Sequence, residues 1–159
     1  MTINHKLPIA IIIALAIITW PPSRGAQQEK SPAPRSVWDG VYTDEQAKRG
    51  EGLYQKKCAS CHGDKLTGGE SAPPLAGGQF LSNWNGLTLD VLFERIRLTM
   101  PSDNPAQVSR PAKADVLAYL LNMNKFPSGK TELHYKAELM KDILIETNQP
   151  RDHGSKSGQ

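Results

Sequence analysis

The chain has 159 residues, which is enough for one domain with some length left over for tails. With 38% hydrophobic residues and a mean hydropathy of −0.46, it has the composition of a globular protein that is thin in large apolar groups. The formal net charge is +3, but the first 26 residues hold Lys6, Arg24 and no acid. Without them 17 basic side chains face 16 acidic ones, a balance that gives no reason to expect nucleic acid as a partner.

Residues 1–26 have the pattern of a secretory signal peptide. His5 and Lys6 precede an apolar run over 7–20, which is too short to span a bilayer comfortably. We expect cleavage near Ala26, and an uncleaved membrane anchor is the alternative. Either form predicts export, and therefore a periplasmic globular part.

The rest of the chain divides by composition. Residues 27–36 are rich in Gln, Ser and Pro and predict a flexible linker, followed by a domain over 37–130. A weaker amphipathic pattern predicts a tail helix over 131–147 that docks back onto the domain. Residues 148–159 have the composition of a disordered tail.

Helical spacing of apolar residues dominates the domain. Thr43 and Gln46 fit a capping box that begins a helix, and further helices are expected near residues 88–99 and 111–123. The first helix is predicted over about 44–57. The glycine-rich stretch 63–78 predicts a compact loop, and no alternation is long enough for a sheet. The fold class predicted is all-α.

One motif carries the chemistry. Cys58-Ala59-Ser60-Cys61-His62 is C-x-x-C-H, the attachment signature for c-type haem, in which two thiols bond the haem vinyl groups and the adjacent imidazole binds iron. The alternatives are a disulfide, a thioredoxin-like dithiol and half of a zinc site. A dithiol normally comes with a βαβ pattern, and a structural zinc needs four ligands, which the few remaining histidines do not supply.

A methionine is the expected sixth ligand of the iron, because a thioether raises the reduction potential of an electron carrier. Met123 and Met140 lie in helical patterns and are expected to fill core space. Met100 lies at a helix end, directly before Pro101, where the chain must turn. We therefore expect the iron to be bound by His62 and Met100.

The chain resembles a class I cytochrome c over roughly residues 41–126. Gly50, Tyr54 and Cys58 fall at the G-x-x-x-aromatic-x-x-x-C spacing of that family's first helix, and V-L-A-Y-L at 116–120 resembles its last helix. The resemblance implies the cytochrome c fold, with three to five helices around one covalently bound haem. It also implies that Gly50 meets the last helix near Tyr119.

The same resemblance assigns a role to Pro73, whose carbonyl would accept a hydrogen bond from the proximal imidazole, with Pro74 as the neighbouring register. More narrowly, the stretches 36–42 and 80–86 resemble small bacterial cytochromes found with pyrroloquinoline-quinone sugar or alcohol dehydrogenases. That likeness implies a quinoprotein dehydrogenase as electron donor.

Several polar residues have two interpretations. Trp84 could donate its indole N–H to a haem propionate or, equally, to a backbone carbonyl in the core. Arg95 and Arg97 could neutralise propionates but are more often solvated on a helix face. His134 and His153 are expected to be exposed tail residues.

The function expected from these features is electron transfer without catalysis. A periplasmic dehydrogenase would be the donor and the respiratory chain, through a terminal oxidase, the acceptor. A general soluble carrier that feeds an oxidase or peroxidase is one alternative, and a haem sensor or enzyme with an open axial position is another. Partners would dock at the haem edge, with apolar contacts from Leu66 and Pro101, and a membrane would be involved only through an uncleaved leader.

Overall fold

The structure, a computed structural model, describes residues 1–2, 35–70 and 72–149. The leader, most of the linker and the tail from residue 150, including His153, lie outside the described residues. The elements in the unit that contains residues 35–149 are β1 (Arg35–Ser36), α1 (Asp44–Lys57), α2 (Ala59–His62), α3 (Gly78–Trp84), α4 (Leu89–Thr99), α5 (Arg110–Met123) and β2 (Ile143–Leu144), with 3₁₀ turns at Val37–Asp39, Pro105–Gln107 and Ala137–Leu139.

The crossing of α1 and α5 is the centre of the fold. A Cβ placed on Gly50 would lie 1.9 Å from the Asp115 carbonyl oxygen and 3.0 Å from Tyr119 Cβ, so only glycine allows this approach. One turn further along α1, the Tyr54 and Tyr119 rings meet with centroids 5.4 Å apart. The crossing expected from the first and last helices is confirmed.

Local signals account for the helix ends. Thr43 Oγ1 accepts from the Gln46 N–H at 3.2 Å and begins α1, while Ser109 Oγ accepts from the Ala112 N–H and begins α5. The capping box predicted at Thr43 is only half present. The Gln46 side chain bonds the backbone of Leu133 instead, donating to its carbonyl at 2.8 Å and accepting from its N–H at 2.7 Å.

Residues 131–147, called here the strap, do not form the predicted tail helix. They contain one 3₁₀ turn and β2, which pairs in parallel with β1 in the register Arg35↔Ile143. The helix prediction was wrong because long-range bonds determine the strap. Besides the two bonds from Gln46, the Trp38 indole donates to the Glu146 carbonyl at 2.9 Å.

The hydrophobic core consists of two clusters of buried residues. The larger includes Val37, Phe93, Leu117 and Met140 and joins the start of the domain to the strap. The smaller surrounds the α1–α5 crossing and contains Tyr54, Ala59, Leu66, Val116, Tyr119 and Leu120. Among the described residues, no helix is long and apolar enough to cross a membrane. The all-α class is confirmed, and the parallel pair β1–β2 is a small addition to it.

Candidate haem site

The two cysteines lie on a tight turn at the end of α1. The Cys58 N–H donates to the Tyr54 carbonyl at 2.8 Å and closes α1, and α2 begins with the next residue. Both thiols are free, with Cys61 exposed and Cys58 partly buried. Burial, and secondarily the neighbouring Cys61, raises the pKa of Cys58 to about 11. A thioredoxin-like dithiol needs a lowered thiol pKa, so this environment does not favour the dithiol interpretation.

His62 is buried, with one ring nitrogen fixed by the backbone. Its Nδ1 lies 2.9 Å from the Pro73 carbonyl oxygen, so the ring donates Nδ1–H to that carbonyl and leaves Nε2 as the nitrogen with a free lone pair. The contact is made by Pro73 and not by Pro74. The family resemblance implies a hydrogen bond between the same two groups.

The segment that presents this carbonyl, residues 72–77 and called here the proline loop, is held by backbone bonds. The Leu75 N–H donates to the Leu66 carbonyl at 2.9 Å, and the Gly68 N–H donates to the His62 carbonyl at 2.8 Å. Gly68 has φ +75°, and a Cβ there would lie 2.6 Å from Pro74 N. Glycine at this position therefore lets the proline loop close against the turn that carries His62.

Asn124, just past α5, holds the proline loop from the other side. Its amide oxygen accepts from the Gly77 N–H at 3.0 Å, and its amide nitrogen donates to the Leu75 and Leu120 carbonyls. The asparagine is buried, so these bonds satisfy groups that water does not reach. No sequence pattern predicted a role for this residue.

Met100 caps the C-terminus of α4, where its N–H donates to the Ile96 carbonyl at 3.0 Å. Met100 lines a small, mostly apolar cavity of about 20 Å³ that is open to solvent. Cys58 lines the same cavity, so the structure brings the first cysteine and the expected methionine ligand to one place. The other lining residues are Leu53, Lys57, Ile96, Pro101, Val108, Lys113 and Val116.

The remaining candidates are placed as follows. Trp84 ends α3, partly buried, with its ring centroid 6.3 Å from that of Phe80, and its indole N–H has no hydrogen-bond partner among the described residues. The alternative in which a core carbonyl accepts from this indole is therefore not observed. Arg97 pairs with Glu94, while Arg95 and His134 are exposed.

One residue that the sequence placed on the surface is buried in the structure. Leu66, expected to contribute to a docking surface, is fully buried in the smaller cluster. Its bond to the proline loop explains this, because the loop folds over the residue. Pro101 is partly exposed.

These features fit a covalently bound haem. Two free thiols flank a turn, a buried imidazole has one nitrogen fixed and the other available, and an apolar cavity carries a thioether. Partly buried apolar side chains such as Ile96 pack against both clusters and line this cavity, as expected where a bulky apolar group would complete a core.

Comparison with known proteins agrees with this geometry. Residues 45–120 match the family model described as cytochrome c oxidase, cbb3-type, subunit III, and this segment includes the C-x-x-C-H turn, the proline loop and Met100. The match over this segment, slightly under half of the chain, supports a c-type cytochrome domain. Its cofactor is haem c, bound covalently, and a domain of this kind implies electron transfer. No curated protein matches the chain.

Among solved structures, the chain is similar to one described as "Crystal Structure of the Sulfane Dehydrogenase SoxCD from Paracoccus pantotrophus". The sequences are 22% identical, the match covers 81% of this chain and 73% of that chain, and the TM-score is 0.48.

Proposed function

We propose that this cytochrome is a single-electron carrier of the periplasm, with haem bonded to Cys58 and Cys61 and iron bound by His62 and Met100. When bound, the haem supplies a one-electron ferric–ferrous couple. The observation that carries the proposal is that each ligand lies beside one of the two cysteines, His62 directly after Cys61 and Met100 on the cavity lined by Cys58. The buried imidazole has its Nδ1 committed to Pro73, and Met100 lies on the cavity that Cys58 lines.

His62 and Pro73 act together in this proposal. Because Nδ1 donates to the Pro73 carbonyl, the tautomer is fixed, the ring is held in one orientation, and Nε2 is left to bind a metal. The proline loop is in turn held by Asn124 and by Leu66, so the imidazole rests on a rigid backbone.

Met100 distinguishes a carrier from an enzyme. Met100 would hold the iron through its thioether and would close the position that a substrate or gas needs, so the protein would transfer electrons and perform no substrate chemistry. A haem sensor or enzyme would need that position open. The placement of Met100 at a helix cap, on a turn that lines the cavity, supports the closed arrangement.

For the route, we propose a periplasmic dehydrogenase as donor and the respiratory chain, through a terminal oxidase, as acceptor. The leader pattern supports export, and the stretches 36–42 and 80–86 support a quinoprotein dehydrogenase as the donor. Docking would use the surface around the exposed Cys61 and the partly exposed Pro101. A small surface of this kind suits a redox partner that must release after transfer.

The ligand assignment is tested by spectroscopy of the matured protein. Wild type should show the sulfur-to-iron absorption band when oxidised and should not bind carbon monoxide when reduced at neutral pH. Met100→Ala should lose the band, bind carbon monoxide and have a lower reduction potential. Met123→Ala is the matched control, since it removes another partly buried thioether, and it should keep the band. Ready binding of carbon monoxide by wild type would favour the sensor or enzyme.

The route is tested with partner kinetics. Lys65 is exposed three residues beyond His62, and Lys141 is exposed in the strap. Lys65→Glu should change the bimolecular rate of reduction by a purified quinoprotein dehydrogenase several-fold, with an effect that salt weakens, whereas Lys141→Glu should not. Equal rates for both variants would refute the docking surface. Failure of the dehydrogenase to reduce wild type, with rapid oxidation by a terminal oxidase, would favour the general carrier.

A further inference from the structure

Lys113 is a lysine in an unusual environment. It lies on α5 and is only 3% exposed, among buried apolar residues such as Ala114, Val116 and Leu117. Its ammonium donates to two backbone carbonyls, that of Arg97 at 2.8 Å and that of Pro105 at 2.7 Å. Within residues 35–70 and 72–149, no carboxylate forms an ion pair with it. A buried cation is costly, so core packing alone does not account for a lysine here.

The Arg97 carbonyl needs this donor because of Pro101. In a continuing helix the carbonyl of residue 97 would accept from the N–H of residue 101, but proline has none. The Lys113 ammonium takes the place of the missing N–H. It also places a positive charge at the C-terminal end of α4, where the helix dipole is negative.

The two bonded carbonyls lie on either side of Met100. Arg97 is in the last turn of α4, and Pro105 opens the next 3₁₀ turn, so the seven-residue passage between them contains the thioether. Residues 102–104 in that passage are exposed and have no core contacts of their own to position it. Lys113 therefore ties both ends of the Met100 loop, residues 98–104, to the rigid helix α5.

We propose that Lys113 is a positioning residue for Met100: by bonding both ends of the Met100 loop, it keeps the thioether on the iron and the sixth position closed. The inference rests on the proposed ligation by Met100. Lys113 lines the same cavity as Met100 and Cys58, so its effect acts directly on the side of the site where the thioether must stay.

Lys113→Met tests the proposal, because methionine keeps much of the length and apolar volume of the side chain but donates to neither carbonyl. Lys57→Met is the matched control. Lys57 lines the same cavity and carries the same charge, but it is exposed and its ammonium bonds a side-chain oxygen, that of Gln107 at 3.1 Å. A difference between the two variants therefore reports the two buried carbonyl bonds and not the loss of positive charge.

The readouts are the sulfur-to-iron band of the oxidised protein and carbon monoxide binding to the reduced protein, with far-UV circular dichroism to verify folding. For Lys113→Met we expect a weakened band and at least a tenfold rise in the fraction of protein with Met100 off the iron, equal to about 1.4 kcal/mol. Lys57→Met should match wild type. If Lys113→Met matures poorly, Lys113→Gln against Lys57→Gln gives the same comparison, since a glutamine is too short to reach both carbonyls.

The outcomes separate the two proposals. A wild-type protein without the band, or one that binds carbon monoxide readily, would overturn Met100 ligation itself. A wild type with the band, together with a folded Lys113 variant that keeps the band and, like wild type, does not bind carbon monoxide, would overturn the role of Lys113 alone. Retention of the band in Lys113→Arg, which restores a cationic donor, would support the role.

Discussion

The α1–α5 crossing can be tested with two alanine substitutions in the same helix. Gly50 and Gly52 both lie inside α1, but their surroundings differ. A Cβ at Gly50 would lie 1.9 Å from the Asp115 carbonyl oxygen and 2.5 Å from its carbon, whereas a Cβ at Gly52 would meet nothing within 4 Å. The two variants make the same chemical change and differ only in the space around it.

The magnitudes follow from these distances. An ordinary carbon–oxygen contact is about 3.3 Å, so Gly50→Ala must separate the helix axes by about 1.4 Å or distort the backbone. Overpacking of this kind costs about 1–3 kcal/mol, and we expect the upper end because the opposing atoms are backbone. Because alanine has a higher helix propensity than glycine, the same substitution also stabilises α1 by about 1 kcal/mol. The net effect is a loss of about 2 kcal/mol for Gly50→Ala and a gain of up to about 1 kcal/mol for Gly52→Ala.

Thermal and urea unfolding of the matured proteins, followed by far-UV circular dichroism, measures both variants. The difference of about 3 kcal/mol corresponds to roughly 12 °C between the two melting temperatures for a domain of this size. Melting of Gly50→Ala at or above the temperature of Gly52→Ala would refute the argument, because propensity would then outweigh the close approach at the crossing.

We predict the effects of three further substitutions. Gln46→Ala leaves the Leu133 N–H and carbonyl without their partner and should lower the free energy of unfolding in urea by about 3 kcal/mol. The control Gln55→Ala, at an exposed position, should lower it by less than about 0.5 kcal/mol. Equal losses would mean that Gln46 does not hold the strap. Asn124→Leu removes the partners of backbone groups in the proline loop, so it should lower the free energy of unfolding by about 2 kcal/mol and shift the reduction potential. An unchanged potential would show that the loop does not act on His62. The hydrogen bond from Arg97 lowers the pKa of Glu94, so the ionised carboxylate stabilises the folded protein at neutral pH. Glu94→Gln should therefore lower the free energy of unfolding at neutral pH, by under about 0.5 kcal/mol because the pair is partly exposed, and this difference from wild type should disappear as pH falls below 4.5. A difference that grows in acid would have the opposite sign.

Much of the fold could be predicted because its signals are local. Caps such as Thr43 and the apolar spacing set the bounds of α1 as predicted and those of α4 and α5 to within a residue. The short helix α3 was not predicted, although Phe80, Leu81 and Trp84 lie at helical spacing. The strap was predicted as a helix because its true conformation depends on pairings across most of the chain, which no local pattern encodes.

The candidate site, like the fold, could be predicted only in part from the sequence. The C-x-x-C-H turn and Met100 are recognisable from sequence, since their chemistry requires particular residue types at fixed spacing. Lys113 was missed because a single lysine in a helix is usually solvated. A signal was present: Lys113 precedes the buried Val116 and Leu117 by three and four residues, which places it on the apolar face of α5.

The two ends of α5 hold opposite sides of the proposed site. Lys113 bonds the Met100 loop, and Asn124 bonds the proline loop that carries the partner of His62. The eleven residues from Lys113 to Asn124 separate their Cα atoms by about 16 Å along the helix axis. The crossing at Gly50 fixes α5 against α1, whose C-cap is the first cysteine. The spacing between the two ligand-bearing loops is therefore set by one rigid helix. Loss of Lys113 should then act on the sulfur ligand and loss of Asn124 on the imidazole, with different spectra for similar losses of stability.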